Sequence, residues 1–248
     1  MITLCIDIGL RNLSLCIMNS NFEILFWEVY NVLDSDNYRC PKLLKDGKIC
    51  DKKCSLKYKP ENNAEDEVYV YTCKIHFPKD IEITKNNRFH SKNINEYPLQ
   101  EIAEIFLCKI QNIYDMNLEL FKKLDSINIE LQMQTNKKAM FISHILYGKF
   151  IDLYKNNPKP IRFVRASQKL KIYDGPEIVC SLKNEYAKRK WLGIEHMKWF
   201  LNNHFSEEQR EQWLTWLSKH TKQDDLCDSG LMAINAITTK NKKKKAIN

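Results

Sequence analysis

The chain has 248 residues and a formal charge of +8, from 39 Lys and Arg against 31 Asp and Glu. Hydrophobic residues make up 44% and charged residues 28%, which suits a packed core and excludes global disorder. No apolar run reaches 18 residues, Asp7 interrupts the N-terminal one, and there are only 6 Gly and 7 Pro, so a spanning helix, an export signal and a turn-rich sandwich are not expected.

Residues Ile2 to Ile6 form a short apolar run, read as a buried strand. Leu13 to Met18 and Phe22 to Val32 are two further β-rich runs, and Asn19-Ser20-Asn21 between them reads as a hairpin turn. Residues 34–97 then turn polar and hold four crowded cysteines, so this stretch is read as an insert plus a connection. From Pro98 the pattern is helical, with Ile102, Ile105, Phe106, Ile110 and Ile113 on one face. Ser126 to Leu131 alternates Ile127, Ile129 and Leu131 against Asn128 and Glu130, a strand signature. A helix over Asn136 to Tyr154 ends at Asn156-Asn157-Pro158, and Ile161 to Val164 is a fifth strand. Residues 177–203 and 206–219 read as helices, and a last helix runs from Asp224 to Ile237. The basic cluster of Lys240 and Lys242 to Lys245 falls after it, so residues 240–248 are expected to be a disordered tail. A strand meander followed by strand–helix alternation predicts one α/β domain over residues 1–248, built on a mixed five-stranded sheet with flanking helices.

Four carboxylates stand out from this pattern. Asp7 lies inside the first apolar strand, where a carboxylate is costly unless it is paired or bound to a cation. Glu130 has the same setting in the fourth strand. Asp225 and Asp228 are three residues apart at the start of the last helix, which puts both on one face. Alone, that pair reads as caps and dipole partners. As a set, four such oxygens suit hard divalent cations, and two ions about 3.5–4 Å apart can clamp the attacking and leaving oxygens of a phosphodiester.

Asp7-Ile8-Gly9, Ile129-Glu130-Leu131-Gln132 and Asp225-Leu226-Cys227-Asp228-Ser229 resemble the motifs of the RuvC-type Holliday junction resolvases, which belong to the RNase H-like superfamily. The branch found in poxviruses and other large cytoplasmic DNA viruses looks most similar. In that family the first Asp lies on the first strand, the Glu ends the fourth, and the Asp pair sits on the last helix. The resemblance implies a metal-dependent endodeoxyribonuclease acting on four-way DNA junctions. Asp7, Glu130, Asp225 and Asp228 would hold two Mg2+ (or Mn2+) ions per active site, with Asp7 as the bridging ligand. It also implies a homodimer, since two symmetric cuts call for two sites on a C2 axis. The place of action would be the cytoplasmic site of viral replication, or the virion. The rivals are a nuclease of the same fold with another nucleic-acid target, and a non-catalytic zinc-bearing DNA-binding module.

The insert has its own chemistry. Cys40, Cys50, Cys73 and His76 are the preferred ligands of a structural Zn2+, with Cys54 competing for the place of Cys50. A polar segment with few core residues needs such a staple. Cys5, Cys16, Cys108 and Cys180 sit singly among apolar residues and are expected in the core. Basic clusters at Lys169 and Lys171, and at Lys188, Arg189 and Lys190, are expected to contact DNA phosphates. Trp191, Trp199, Trp213 and Trp216 are expected to pack, and His220 to pack or to face substrate.

Overall fold

The computed structural model describes residues 1–33, 38–60, 69–89 and 94–245. They form two units, one of Met1–Val32 with Leu99–Asn248 and one of Leu33–Pro98. No helix among the described residues is long and apolar enough to cross a membrane.

The larger unit is built on three N-terminal strands, β1 (Ile2–Ile8), β2 (Asn12–Asn19) and β3 (Ile24–Asn31). The small unit contributes a two-stranded sheet of its own, β4 (Leu56–Tyr58) and β5 (Val70–Thr72). Strands β6 (Ser126–Leu131) and β7 (Ile161–Arg165) complete the main sheet. Its order is β3-β2-β1-β6-β7, antiparallel along the meander and parallel where β1 meets β6 and β6 meets β7. This is the mixed five-stranded sheet that the chain order predicts, in the RNase H-like arrangement that the resemblance implies. β1 and β6 lie inside the sheet, and both are buried along almost their whole length, including the polar residues of β6.

Helices α1 (Leu99–Met116), α2 (Leu118–Lys122) and α3 (Lys137–Leu153) precede α4 (Glu185–His204), α5 (Glu207–Ser218) and α6 (Gln223–Lys245). Asn136, Asn184 and Ser206 cap α3, α4 and α5 through their side-chain oxygens. Helix α6 lies on the face of the sheet that carries Cys5, Cys16 and Met18, and α4 and α5 pack beside it. Leu226, Leu231, Ala233, Ile234 and Ile237 of α6 are fully buried. The Trp27 indole reaches across from β3 to donate to the Leu226 carbonyl at 2.8 Å. Gly230 makes this approach possible, because a Cβ there would stand 3.0–3.2 Å from Met197 and Trp27.

Three expectations need correction. Residues 177–184 are not helical; the helix begins at Glu185, after its Asn184 cap. β-branched Ile178 and Val179 resist the helix, and the cap sets the true start. Helix α6 runs to Lys245, eight residues beyond Ile237, so the lysine cluster 240–245 belongs to it. Lysine is a good helix former and its charge suits a helix C-terminus; residues 246–248 lie outside the described residues. Among the single cysteines, Cys5 and Cys16 are buried as expected, but Cys108 is exposed and Cys180 half-exposed.

In the small unit, residues 38–54 form a hairpin. Its bonds include Cys54 N to Tyr38 O at 2.8 Å, Cys40 N to Lys52 O at 2.9 Å and Cys50 N to Lys42 O at 2.8 Å. Gly47 turns the tip with a φ of 77°, a conformation that favours glycine. Its core is small: Cys40, Cys54 and Cys73, with Cys50, Tyr71 and Phe89 against them. The Tyr38 ring stacks on Tyr71 with centroids 3.9 Å apart, and Phe89 meets both edge-on. The expected insert covered residues 34–97; of these, 34–37, 61–68 and 90–93 lie outside the described residues.

Candidate active site and metal cluster

Side chains alternate along a strand, so Asp7 shares the face of Cys5, the face that α6 covers. The register sets Cys5 opposite Asn128, whose amide donates to the Cys5 sulfur at 3.6 Å. Glu130, two residues on, falls on the same face. The first turns of α6 bring Asp225 and Asp228 down over it. They are pinned there by a 2.8 Å contact between the hydroxyls of Ser14 on β2 and Ser229 on α6. The four residues thus come from two adjacent parallel strands and one helix.

Three of the four carboxylates meet one cation. The Lys169 ammonium lies 2.6 Å from Asp228 Oδ2, 3.0 Å from Glu130 Oε1 and 3.7 Å from Asp7 Oδ1. Its side chain is only 11% exposed, as are those of Asp7 and Glu130. Gln132 donates to the other Glu130 oxygen at 2.9 Å. Asp225 is turned aside and accepts from Asn12 Nδ2 at 2.7 Å. Asp224 pairs instead with Lys190, which separates it from the cluster.

Lys169 was expected to be a surface phosphate contact. The structure places it inside the acidic group, because the short 3-10 turns Ala166–Gln168 and Leu170–Ile172 follow β7 directly and fold its side chain inward. Lys171 and Arg189 are exposed, Lys188 is half-buried, and Lys190 is occupied by Asp224. His220 packs on Trp216, with ring centroids 4.5 Å apart, and its Nδ1 lies 2.9 Å from the Trp216 carbonyl. Asn12 and the true place of Lys169 were missed in the sequence. Asn12 follows Asp7-Ile8-Gly9 by three residues, which was the available signal.

Electrostatics favours an added cation here. Three carboxylates share one ammonium, and a fourth, Asp225, stands beside them. Burial pushes the Asp7 carboxyl well above its ordinary range, and the charges of Glu130 and Asp228 push it further. Burial also raises Asp225, although its bond from Asn12 opposes this. Asp228 is raised to about 6, by burial first and against the pull of Lys169. The ammonium occupies the kind of position a hard metal ion takes, close to three carboxylates at once, and it leaves a surplus of negative charge. The donor set therefore fits divalent cations with oxygen ligands.

A stability prediction follows from the sign of the Asp228 shift. A carboxyl raised in the folded chain holds its proton more tightly there than when unfolded. The stabilisation by that proton is complete below the unfolded value and is lost as pH rises through about 6. Metal-free protein at pH 7 thus carries a penalty that Asp228→Asn removes. The Asp228 side chain keeps 29% of its surface in water, so the gain is modest. We expect Asp228→Asn to melt about 2–4 °C above wild type at pH 7 without divalent ions, a gain of ~1 kcal/mol. The difference should shrink as the pH falls below 6 and vanish only below the unfolded value of 3.8. A variant that melts lower at pH 7 contradicts the assignment.

The second cluster is in the small unit. The ligand atoms of Cys40, Cys50, Cys73 and His76 all lie within 4.8 Å of one another. Cys40 Sγ is 3.4 Å from His76 Nδ1, Cys73 Sγ is 3.5 Å from the same nitrogen, and the Cys50 and Cys73 sulfurs are 3.9 Å apart. A tetrahedral zinc ion with ordinary Zn–S and Zn–N bonds separates thiolates by about 3.8 Å and thiolate from nitrogen by about 3.6 Å. The fit is close. Burial raises the Cys73 thiol, but the N–H groups of His76 and Ile75 outweigh it and hold it below its ordinary value, in favour of a thiolate. Cys54 is not in the set; burial, then the charges of Cys40 and Cys73, push its thiol up to about 11.

No family model matches the chain. In fold it is similar to RuvC-family Holliday junction resolvases. The yeast mitochondrial Holliday junction resolvase is 14% identical with a TM-score of 0.49, over 95% of this chain and 78% of that one. Fowlpox virus resolvase, solved with its substrate Holliday junction DNA, is 13% identical with a TM-score of 0.43, over 96% and 98%. Thermus thermophilus RuvC is 10% identical with a TM-score of 0.42, over 93% and 92%. In sequence, the chain is 27% identical over 238 residues to an uncharacterized protein of Acanthamoeba polyphaga mimivirus, covering 86% of this chain and 52% of that protein. The chain therefore spans about half the length of the curated relative it matches.

Proposed function

We propose that the chain is a metal-dependent endodeoxyribonuclease that resolves four-way DNA junctions by paired symmetric cuts, acting as a homodimer during viral DNA recombination, replication or concatemer processing. The observation that carries this reading is the acidic cluster: Asp7, Glu130 and Asp228 converging on one cationic position, with Asp225 held beside them by Asn12.

When Mg2+ or Mn2+ is bound, it supplies an activated water and charge stabilisation at the departing 3′ oxygen. The chain's own residues do the rest. Asp7 and Glu130, fixed on neighbouring strands, set the distance between ligands. Asp225 and Asp228 supply the outer oxygens from one helix face. Asn12 orients Asp225, and Lys169 balances part of the charge. Lys171, Lys188 and Arg189 offer positive charge to DNA phosphates. The nuclease domain spans the chain apart from the 34–97 insert, whose Cys40, Cys50, Cys73 and His76 hold a structural Zn2+.

The test is cleavage of labelled four-way junction, linear duplex and RNA–DNA hybrid, with and without Mg2+. We expect paired nicks at symmetric positions in the junction, dependent on the metal, with little cutting of the other two. Preferred cutting of the hybrid would leave a nuclease and overturn the junction assignment. Binding with no cutting of any substrate at any Mg2+ or Mn2+ concentration would leave a binding module.

A further inference from the structure

We infer that the hairpin of residues 38–54 is a second DNA-binding element, with a tip that combines a phosphate clamp and an apolar wedge. The inference rests on the reading above that the substrate is DNA. It assigns the insert a role beyond holding its metal.

Charge is the first observation. Between Tyr38 and Lys59 there are eight Lys or Arg and two Asp, a surplus of six in 22 residues; the whole chain carries +8. Lys42, Lys45, Lys48, Lys52 and Lys53 are all exposed. Lys42, Lys45 and Lys52 make no ion pair among the described residues, and the Lys48–Asp46 pair at 3.5 Å lies in open solvent. Positive charge outnumbers negative four to one here, against 39 to 31 over the whole chain.

The second observation is apolar and independent of the first. Leu43 and Ile49 face each other across the hairpin yet are 65% and 60% exposed. Leu44, at the start of the turn, is 40% exposed. A lysine-rich hairpin kept only for solubility has no use for three large aliphatic side chains at its tip. Apolar groups flanked by lysines match a DNA groove or branch point, where phosphates line the rim and sugars and unstacked bases form the floor.

Rigidity is the third. Cys40 and Cys50 stand one on each strand of the hairpin, both in the ligand cluster. A metal there fixes the base of the hairpin, so the tip is presented without a large ordering cost.

The experiment uses the full chain and measures anisotropy of labelled four-way junction and linear duplex across a salt series, without divalent ions or chelator. The variants are Lys42→Gln/Lys45→Gln/Lys48→Gln and Leu43→Ser/Ile49→Ser. The triple variant should weaken binding to both DNAs at least about tenfold and lower the salt slope by about 2–3, roughly one per lost phosphate contact. The apolar pair should weaken junction binding and leave the slope unchanged. None of these residues is a metal ligand, so zinc content and melting should match wild type. Should the triple variant lose its metal, Lys45→Gln/Lys48→Gln on the solvent-facing turn is read instead, with a slope change of about 2. Wild-type affinity and slope in the lysine variants overturn the inference and leave the nuclease reading intact. A wild-type protein that binds neither DNA overturns both.

Discussion

Asp7→Asn is expected to lower junction cleavage by several orders of magnitude and to leave junction binding intact. Asparagine keeps the shape of the side chain and removes its charge, so the strand has no reason to distort. What is lost is the carboxylate on the central strand that shares the Lys169 position with Glu130 and Asp228. Metal-assisted hydrolysis draws most of its barrier reduction from correctly held cations, so a missing inner ligand costs far more than a peripheral contact. Binding depends on Lys and Arg contacts to phosphates and should survive, and it should tighten slightly as repulsion falls. Glu130→Gln and Asp225→Asn should behave alike. Their effects should not add, because the ligands act as one unit. Asp224, paired with Lys190 and outside the cluster, supplies the contrast: Asp224→Asn should retain most of the cleavage. Wild-type cleavage by Asp7→Asn would remove the enzyme reading. Loss of binding as well as cutting would indicate misfolding, which a melting curve resolves.

Removal of zinc is expected to unfold the small unit. Structural zinc binds zinc-finger peptides with about 10–16 kcal/mol at pH 7, and a preformed site does not exist in the unfolded chain, so binding energy is folding energy. Among the described residues the small unit has little else: three buried cysteines, a few buried side chains such as Leu56 and Phe77, a two-stranded sheet and two small aromatic groups. The purified protein should contain about one zinc per chain. A strong chelator should abolish the near-ultraviolet dichroism of the stacked Tyr38 and Tyr71, while the transition of the larger unit, with its own core, persists. Cys40→Ser, Cys50→Ser and Cys73→Ser should each lose the metal. Cys54→Ser should keep it, since its sulfur stands outside the ligand set. No zinc in a chelator-free preparation, or metal loss in Cys54→Ser equal to that in Cys73→Ser, would defeat the prediction.

The strands were legible in the sequence where one residue pattern had one solution. Ser126–Leu131 alternates cleanly, and the strand has those bounds. Helix α3 is bracketed by its Asn136 cap and by the Asn-Asn-Pro that follows. The carboxylates were legible because a charge in an apolar strand needs a cation. Lys169 was not, since its position depends on how two short turns fold after β7, and no periodicity reports that. Asn12 was hidden for a similar reason: it joins Asp225 from 213 residues away. The choice of Cys50 over Cys54 needed the hairpin register, which spacing alone does not fix. The C-terminal lysines misled through their charge, which reads as a solvated tail whether or not a helix continues beneath it.

The pairing of β1 with β6 has a consequence for synthesis on the ribosome. β1 finds β2 and β3 within the first 31 residues, so the meander can form as soon as it emerges. Its other edge must wait for Ser126, 118 residues after Ile8. At roughly 5–20 residues per second that interval is on the order of ten seconds. Through it the nascent chain carries an open, apolar strand edge beside the Asp7 carboxylate, with no helix over it. The insert emerges in the same interval, and zinc capture would turn its polar loop into a folded body before the second half of the sheet exists. The emerging chain is therefore most vulnerable to aggregation before β6 appears. A shortage of zinc would lengthen the stretch of unstructured chain it carries at that time.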